Sequence, residues 1–163
     1  MNDIGLQIPL LIPATAKGII DLLDYYNIDV SGRNVTIIGR SDTVGKPLQS
    51  LLLKKDATIT VFHSKTSISY LKNYCLNSDI IISAAGKPNL ITKDMVKDDT
   101  IIIDVGFSIV DNKFVGDCDF DNLIEKCVVS KSLGIITTRE LILNLILSKK
   151  YLEKGVLKNN LGF

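Results

Sequence analysis

The segment from Val35 to Pro47, Val-Thr-Ile-Ile-Gly-Arg-Ser-Asp-Thr-Val-Gly-Lys-Pro, holds residue types suited to binding an anion. Gly39 and Gly45 flank a loop that carries Arg40, Ser41 and Val44. The loop follows a β-branched run with the composition of a short buried strand, and Pro47 is expected at the first position of a helix, where its missing N–H costs nothing. A strand, a glycine-flanked loop and a helix N-terminus form a phosphate cradle. First-turn N–H groups lack helical partners there, and the helix dipole favours an anion. The spacing departs from the three-glycine dinucleotide fingerprint, since Ser41 stands where the middle glycine would be. Taken alone, a glycine-flanked turn reads equally well as a ligand loop and as a plain connection.

Three further segments follow predicted strands and face the same way: His63-Ser64-Lys65-Thr66, Ala84-Ala85-Gly86-Lys87, and Gly106. A site that selects NAD usually places Asp or Glu about 20 residues past the glycine loop, against the ribose 2′-hydroxyl. From Ala57 through Ser78 the chain has no acidic residue. It offers His63, Ser64 and Lys65 instead, with Arg40 facing them from the first loop. A guanidinium and a hydroxyl suit a 2′-phosphate, so the pattern selects NADP over NAD. The competing reading makes Arg40 and Lys65 solvated surface charges.

His63 is the sole histidine, but no Cys, Asp or Glu lies near it in sequence, which points to a cofactor-edge or structural role. Nothing supplies a base that would turn Ser41 or Ser64 into a nucleophile. Ala84-Ala85-Gly86 offers a small-residue backbone for a flat nicotinamide, and reads also as a simple turn. Asp104 is either a ligand contact or a buried carboxyl bonded to nearby backbone. No catalytic residue and no metal site is assigned.

The elements that must position these loops follow from periodicity. Thr15 is expected to cap a helix running to about Tyr26, with Ile19, Ile20, Leu22 and Leu23 on its buried side. Strands are expected at 35–38, 57–62, 79–83 and 100–105, with helices at 46–55 and 67–74. The almost wholly apolar strands read as buried on both faces. Asp111-Asn112 between two apolar runs marks a small hairpin at 107–116. A short helix at 121–126, a strand at 127–130 and a closing helix at 137–153 complete the pattern. The first dozen residues read as an extended lead-in and the tail from Gly155 as frayed. Strands alternating with helices at this spacing specify an α/β, Rossmann-like, doubly wound and mostly parallel sheet with helices on both faces.

The whole chain of 163 residues is read as one such domain, and 46% hydrophobic residues suffice for a real core. Nineteen basic against eighteen acidic residues leave a net charge of +1, which argues against nucleic acid or an anionic membrane as partner. The apolar run from Leu141 to Leu147 is too short to span a bilayer. Cys75, Cys118 and Cys127 lack metal-ligand spacing and leave an odd thiol, which with no signal-like N-terminus points to a reducing cytoplasm.

Five ordered motifs, Gly39-Arg40-Ser41, Val44-Gly45-Lys46-Pro47, His63-Ser64-Lys65-Thr66, Ser83-Ala84-Ala85-Gly86-Lys87-Pro88 and Ile103-Asp104-Val105-Gly106, resemble the cofactor domain of methylenetetrahydrofolate dehydrogenase/cyclohydrolase. The resemblance covers about residues 13 to 150. It implies a nicotinamide-dependent oxidation of 5,10-methylenetetrahydrofolate, hydrolysis of the methenyl product, and a homodimer paired through this domain. It also implies that the folate lies in a cleft against a preceding catalytic domain, whose Tyr-x-x-x-Lys motif bears the catalytic lysine. No tyrosine of this chain has Lys four residues later, so the chain is expected to carry the cofactor half and to lack turnover alone.

Two departures fall on the folate side. The family's Pro-x-Thr-Pro-x-Gly approach to the first helix reads Pro13-Ala14-Thr15-Ala16-Lys17-Gly18. Its proline- and glycine-rich cleft loop reads Ser130 to Thr137, where only Gly134 and Thr137 keep their places as substrate-cleft candidates. Two other functions therefore compete: a nucleotide-binding or dimerisation module without turnover, and another NADP dehydrogenase such as a shikimate dehydrogenase relative.

Overall fold

The structure is a computed structural model that describes residues 12–130 and 141–145. The expected lead-in, the frayed tail, Gly134, Thr137 and most of the closing helix lie outside the described residues; residues 141–145 are helical.

Helix α1 (Ala14–Tyr25) leads into β1 (Asn34–Ile38), then α2 (Gly45–Leu53), β2 (Thr58–Phe62), α3 (Ile68–Leu76) and β3 (Ile80–Ser83). A 3₁₀ turn (Lys93–Met95) precedes β4 (Ile101–Asp104). The hairpin strands β5 (Phe107–Val110) and β6 (Lys113–Gly116), helix α4 (Phe120–Leu123) and β7 (Val128–Val129) follow. The five-stranded sheet runs β2-β1-β3-β4-β7 and every pairing in it is parallel. The chain order reverses between β1 and β3, the place where doubly wound sheets open a ligand crevice beyond their carboxyl ends.

Strand periodicity divides the core in two. Val35, Ile37, Ile80, Ile82 and Ile103 face one side and pack with Ala16, Ile19, Leu23, Leu48 and Leu52 of α1 and α2. Ile38, Ile81 and Ile102 face the other and pack with Leu71, Cys75, Met95, Val96 and Leu123. Burial on both faces is why these central strands carry almost continuous isoleucine and valine. Thr36 sits on the second face, where its hydroxyl is 2.7 Å from Ser78 Oγ. Ser83 and Asp104 lie side by side in register at the carboxyl ends of β3 and β4.

Several local expectations shift. Thr15 is not the cap of α1; the helix starts at Ala14 after Pro13, which makes no side-chain cap bond. Pro13 has φ −51°, so the chain enters the helix through a residue already fixed near helical φ. Pro47 is the third residue of α2 rather than the first, a place where its N–H would still lack a helical partner. Ser67 caps α3 by accepting from Tyr70 N. The hairpin forms as expected, with Asp111 and Asn112 at φ 49° and 59°, the two left-handed residues of a two-residue turn. The helix expected over 121–126 contracts to Phe120–Leu123, and the strand over 127–130 to Val128–Val129. Among the described residues, no helix is long and apolar enough to cross a membrane.

Candidate functional site

Beyond the carboxyl ends of β1, β2 and β3 lies a cleft of about 380 Å³. Gly39, Arg40 and Ser41 line it from the first loop, His63, Ser64 and Thr66 from the second, and Ala84, Ala85 and Lys87 from the third. Phe62, Ile68, Leu71 and Leu90 form an apolar flank. Two larger cavities occur elsewhere. One of about 470 Å³ lies beneath the hairpin, and one of about 580 Å³ lies between α1 and β4/β7. The second is lined almost wholly by apolar side chains, and neither joins three loops at the sheet's reversal point.

The first loop is built by two glycines in contact. Gly39 has φ +124°, and a Cβ there would overlap the Ala84 carbonyl oxygen. A Cβ on Gly45 would overlap the Gly39 carbonyl, so the start of α2 presses directly on the loop. Both positions require glycine for close backbone approach. Ser41 Oγ accepts from Val44 N at 3.1 Å and from Gly45 N at 3.5 Å. This corrects the expectation of freely outward N–H groups: the side chain already covers two of them. With both acceptor positions used, the Ser41 hydroxyl keeps its O–H to donate outward. Lys46 is turned to Asp42, 2.6 Å away, in an exposed ion pair that holds the Asp42 carboxyl below its usual range. Among the described residues Arg40 enters no salt bridge, and its side chain is exposed.

The second loop is a closed turn. Thr66 N donates to the His63 carbonyl at 2.8 Å and Thr66 Oγ1 accepts from His63 N at 3.3 Å. Lys65 N donates to His63 Nδ1 at 3.2 Å, which leaves Nε2 as the ring's outward nitrogen. Thr66 therefore shapes the turn, while Ser64 and Lys65 remain exposed at its tip.

The third loop is held by a residue that sequence reading missed. Asp117 is fully buried directly after β6. One carboxylate oxygen accepts from Ser83 Oγ at 2.9 Å, Ala85 N at 2.6 Å and Gly86 N at 3.2 Å; the other accepts from Lys87 N at 2.8 Å. Partners about thirty positions apart leave no periodic signal. The available clue was an acidic residue just after a hairpin strand and a glycine. Asp104 is resolved as structural, since its carboxylate accepts from Asp117 N and Cys118 N, both at 3.1 Å. Burial raises the Asp104 pKa, with the Asp117 charge adding to it and the two backbone bonds opposing.

Of the expected site residues, Val44, Gly45, Lys65 and Gly86 belong to these loops without lining the cleft. Gly45 is buried against Gly39, and Gly86 accepts from Ser108 Oγ of the hairpin. Gly106 lines the cavity beneath the hairpin instead of this cleft, and a Cβ there would overlap the Asp117 carboxylate. Burial pushes the Cys75 thiol up to about 12, so this group is an inert part of the core rather than a nucleophile.

The residues fit a dinucleotide. Two glycines clear a cradle that any Cβ would fill, an outward hydroxyl and a guanidinium stand beside it, and an acid-free second loop carries Ser64 and Lys65.

The model of the family described as tetrahydrofolate dehydrogenase/cyclohydrolase, NAD(P)-binding domain, matches residues 13–153. A bifunctional protein FolD of Clostridium novyi is 50% identical over 138 residues, covering 82% of this chain and 49% of that protein. The FolD methylenetetrahydrofolate dehydrogenase/cyclohydrolase of Campylobacter jejuni superposes with a TM-score of 0.80 at 38% identity, over 85% of this chain and 50% of that one. The Trypanosoma brucei enzyme, solved as a complex with NADP cofactor and inhibitor, gives 0.76 at 30% identity over 83% and 49%. The chain spans about half the length of the curated relatives it matches.

Proposed function

The chain belongs to the tetrahydrofolate dehydrogenase/cyclohydrolase family through its NAD(P)-binding domain, and from that premise we propose that it binds NADP for a methylenetetrahydrofolate dehydrogenase/cyclohydrolase. The single observation that carries the choice of NADP is the second loop. Ser64 and Lys65 are exposed there, Ser64 and Arg40 both line the cleft, and the stretch from Ala57 to Ser78 has no carboxylate to hold a ribose hydroxyl. A solved relative bound to NADP supports the same choice.

In this reading Arg40, Ser64 and Lys65 hold the 2′-phosphate, and the Ser41 hydroxyl donates to the pyrophosphate. Ile68, Leu71 and Leu90 cover the adenine, while Ala84 and Ala85 form the wall for the nicotinamide. When bound, the nicotinamide supplies a hydride acceptor for the one-carbon unit of a folate. Hydride transfer also needs the folate carbon held at about 3–3.5 Å from that ring. The described residues supply loops for the first partner, and the chain lacks the Tyr-x-x-x-Lys pattern of the second. We therefore expect cofactor binding without turnover from these 163 residues alone.

The hairpin favours a second element of the proposal, a homodimer. Phe107, Ile109 and Phe114 are 63%, 66% and 76% exposed on a two-stranded sheet, an apolar edge suited to pairing with a second copy. Calorimetric titration with NADP and NAD tests the central claim. Tighter binding of NADP is expected; equal affinity, or a preference for NAD, refutes the 2′-phosphate assignment.

A further inference from the structure

His63 takes the place at the end of β2 where a carboxylate would hold a ribose hydroxyl. Strands β1 and β2 end in register, with Ile38 beside Phe62, and Gly39 N donates to the Phe62 carbonyl at 2.8 Å, so His63 leaves the sheet next to the glycine loop. An acid about 20 residues past the glycines accepts from the ribose 2′-hydroxyl. Here the side chain is an imidazole, and its backbone is held twice by Thr66, through His63 N to Thr66 Oγ1 and Thr66 N to His63 O. The ring is fixed as well. Its Nδ1 accepts from Lys65 N at 3.2 Å, which requires a lone pair there and puts the proton of the neutral ring on Nε2. Among the described residues Nε2 has no hydrogen-bond partner. His63 lines the cleft together with Arg40, Ser41 and Ser64, and no carboxylate lines it with them.

We propose that His63 is a specificity-determining residue whose tautomer is set by the Lys65 backbone, so that Nε2–H stands as a donor to the 2′-phosphate of NADP. The inference rests on the reading of the cleft as an NADP site and deepens it by naming a further group that discriminates. A carboxylate at this place would accept from a 2′-hydroxyl and repel a phosphate; the imidazole reverses both effects. Its bond to a charged phosphate oxygen is stronger than one to the neutral hydroxyl of NAD. The donor is present in the uncharged ring and adds to the cations Arg40 and Lys65. His63→Asn separates the two jobs of the ring. The shorter amide can offer an oxygen to Lys65 N, but has no group where Nε2 stands. His63→Gln carries an N–H₂ that reaches about as far as Nε2 and restores the donor.

The test begins with calorimetric titration of the full chain with NADP and NAD. His63→Asn should weaken NADP about tenfold, the loss of one hydrogen bond to a charged group, and leave NAD at its wild-type affinity. His63→Gln should recover most of the NADP affinity. Equal weakening of both cofactors would reduce His63 to a former of the turn and overturn the proposal; so would no weakening of either, or a glutamine variant as weak as the asparagine one. A wild type that does not prefer NADP would refute the reading of the cleft itself, whereas a preference that survives His63→Asn refutes only the role of His63. Should the variants fail to fold, nitrogen-15 spectroscopy of the wild type decides. The chain has a single histidine, so its ring nitrogens give one set of signals. At about pH 8, where free imidazole is neutral, the ligand-free ring should show its proton on Nε2 and a bare Nδ1. NADP should slow the exchange of the Nε2 proton with solvent, and NAD should not. A ring protonated on Nδ1, or the same response to both cofactors, would overturn the proposal.

Discussion

Arg40→Ala is the sharpest perturbation of cofactor choice. The residue follows Gly39, its side chain is exposed, and no salt bridge among the described residues occupies it. The nearest acidic neighbour in sequence, Asp42, is already paired with Lys46 at 2.6 Å. Removing the guanidinium therefore breaks no internal pair, and the folded state should keep its stability within about 0.5 kcal/mol, the usual range for surface changes. A charge-assisted hydrogen bond contributes roughly 1.5–3 kcal/mol. The lower half of that range applies here because the group is exposed and screened by salt. NADP should thus lose about tenfold or somewhat more in affinity, since every 1.4 kcal/mol or so is a factor of ten. NAD, which has no 2′-phosphate, should be nearly unaffected. Calorimetric titration of both cofactors, at two ionic strengths, measures the difference. Equal losses for NADP and NAD would show that Arg40 contacts the shared part of the dinucleotide, and the specificity argument would fail.

Gly39→Ala should cost more than a ligand contact. A positive-φ position is strained by roughly 1–3 kcal/mol for a residue with a Cβ, and that atom would also overlap the Ala84 carbonyl; a wild-type midpoint in urea would refute this account of the loop. Asp104→Asn should change the pH dependence of stability. Burial raises the folded-state pKa of Asp104 above its ordinary 3.8, so its contribution is fully present below that value and is lost as pH rises through the raised pKa. The wild type should therefore lose ground to the non-titrating variant over that window, as followed by denaturant melts; a constant difference would contradict the assignment. Phe114→Lys, on a side chain 76% exposed, should abolish dimers in sedimentation while leaving the melt unchanged, and an undisturbed dimer would move the interface elsewhere.

Much of the sheet was legible because each strand carries its own signal. Val35–Ile38, Ile80–Ile82 and Ile101–Ile103 are runs with apolar side chains directed to both faces, broken only by Thr36, and the Asp111-Asn112 turn announces its hairpin with residues that tolerate left-handed φ. Gly39 and Gly45 were legible for the same reason, since close backbone approach allows little else. The misplaced start of α1 has a local cause. Thr15 has the right chemistry for a cap, but Pro13 already enters the helix with fixed φ, so Thr15 falls two residues too late to serve. Gly106 was placed in the cleft because it follows β4 as Gly39 follows β1. In three dimensions the Asp117 carboxylate takes up the space beside it, and the loop turns away to start the hairpin.

The two loops differ in their hydrogen-bond partners in a way that sequence order alone does not reveal. After β1 and after β3 the chain makes a comparable bend in which consecutive backbone N–H groups gather. At the first bend the internal acceptor is a serine hydroxyl, which satisfies Val44 N and Gly45 N yet retains a proton to give. At the second it is a buried carboxylate, which accepts four bonds and offers none. One bend can therefore still donate to an anion, while at the other the N–H groups of Ala85, Gly86 and Lys87 are already taken up by the protein's own carboxylate. The difference arises from Ser41, which stands where a middle glycine would be, and from Asp117, about thirty positions beyond the loop it satisfies.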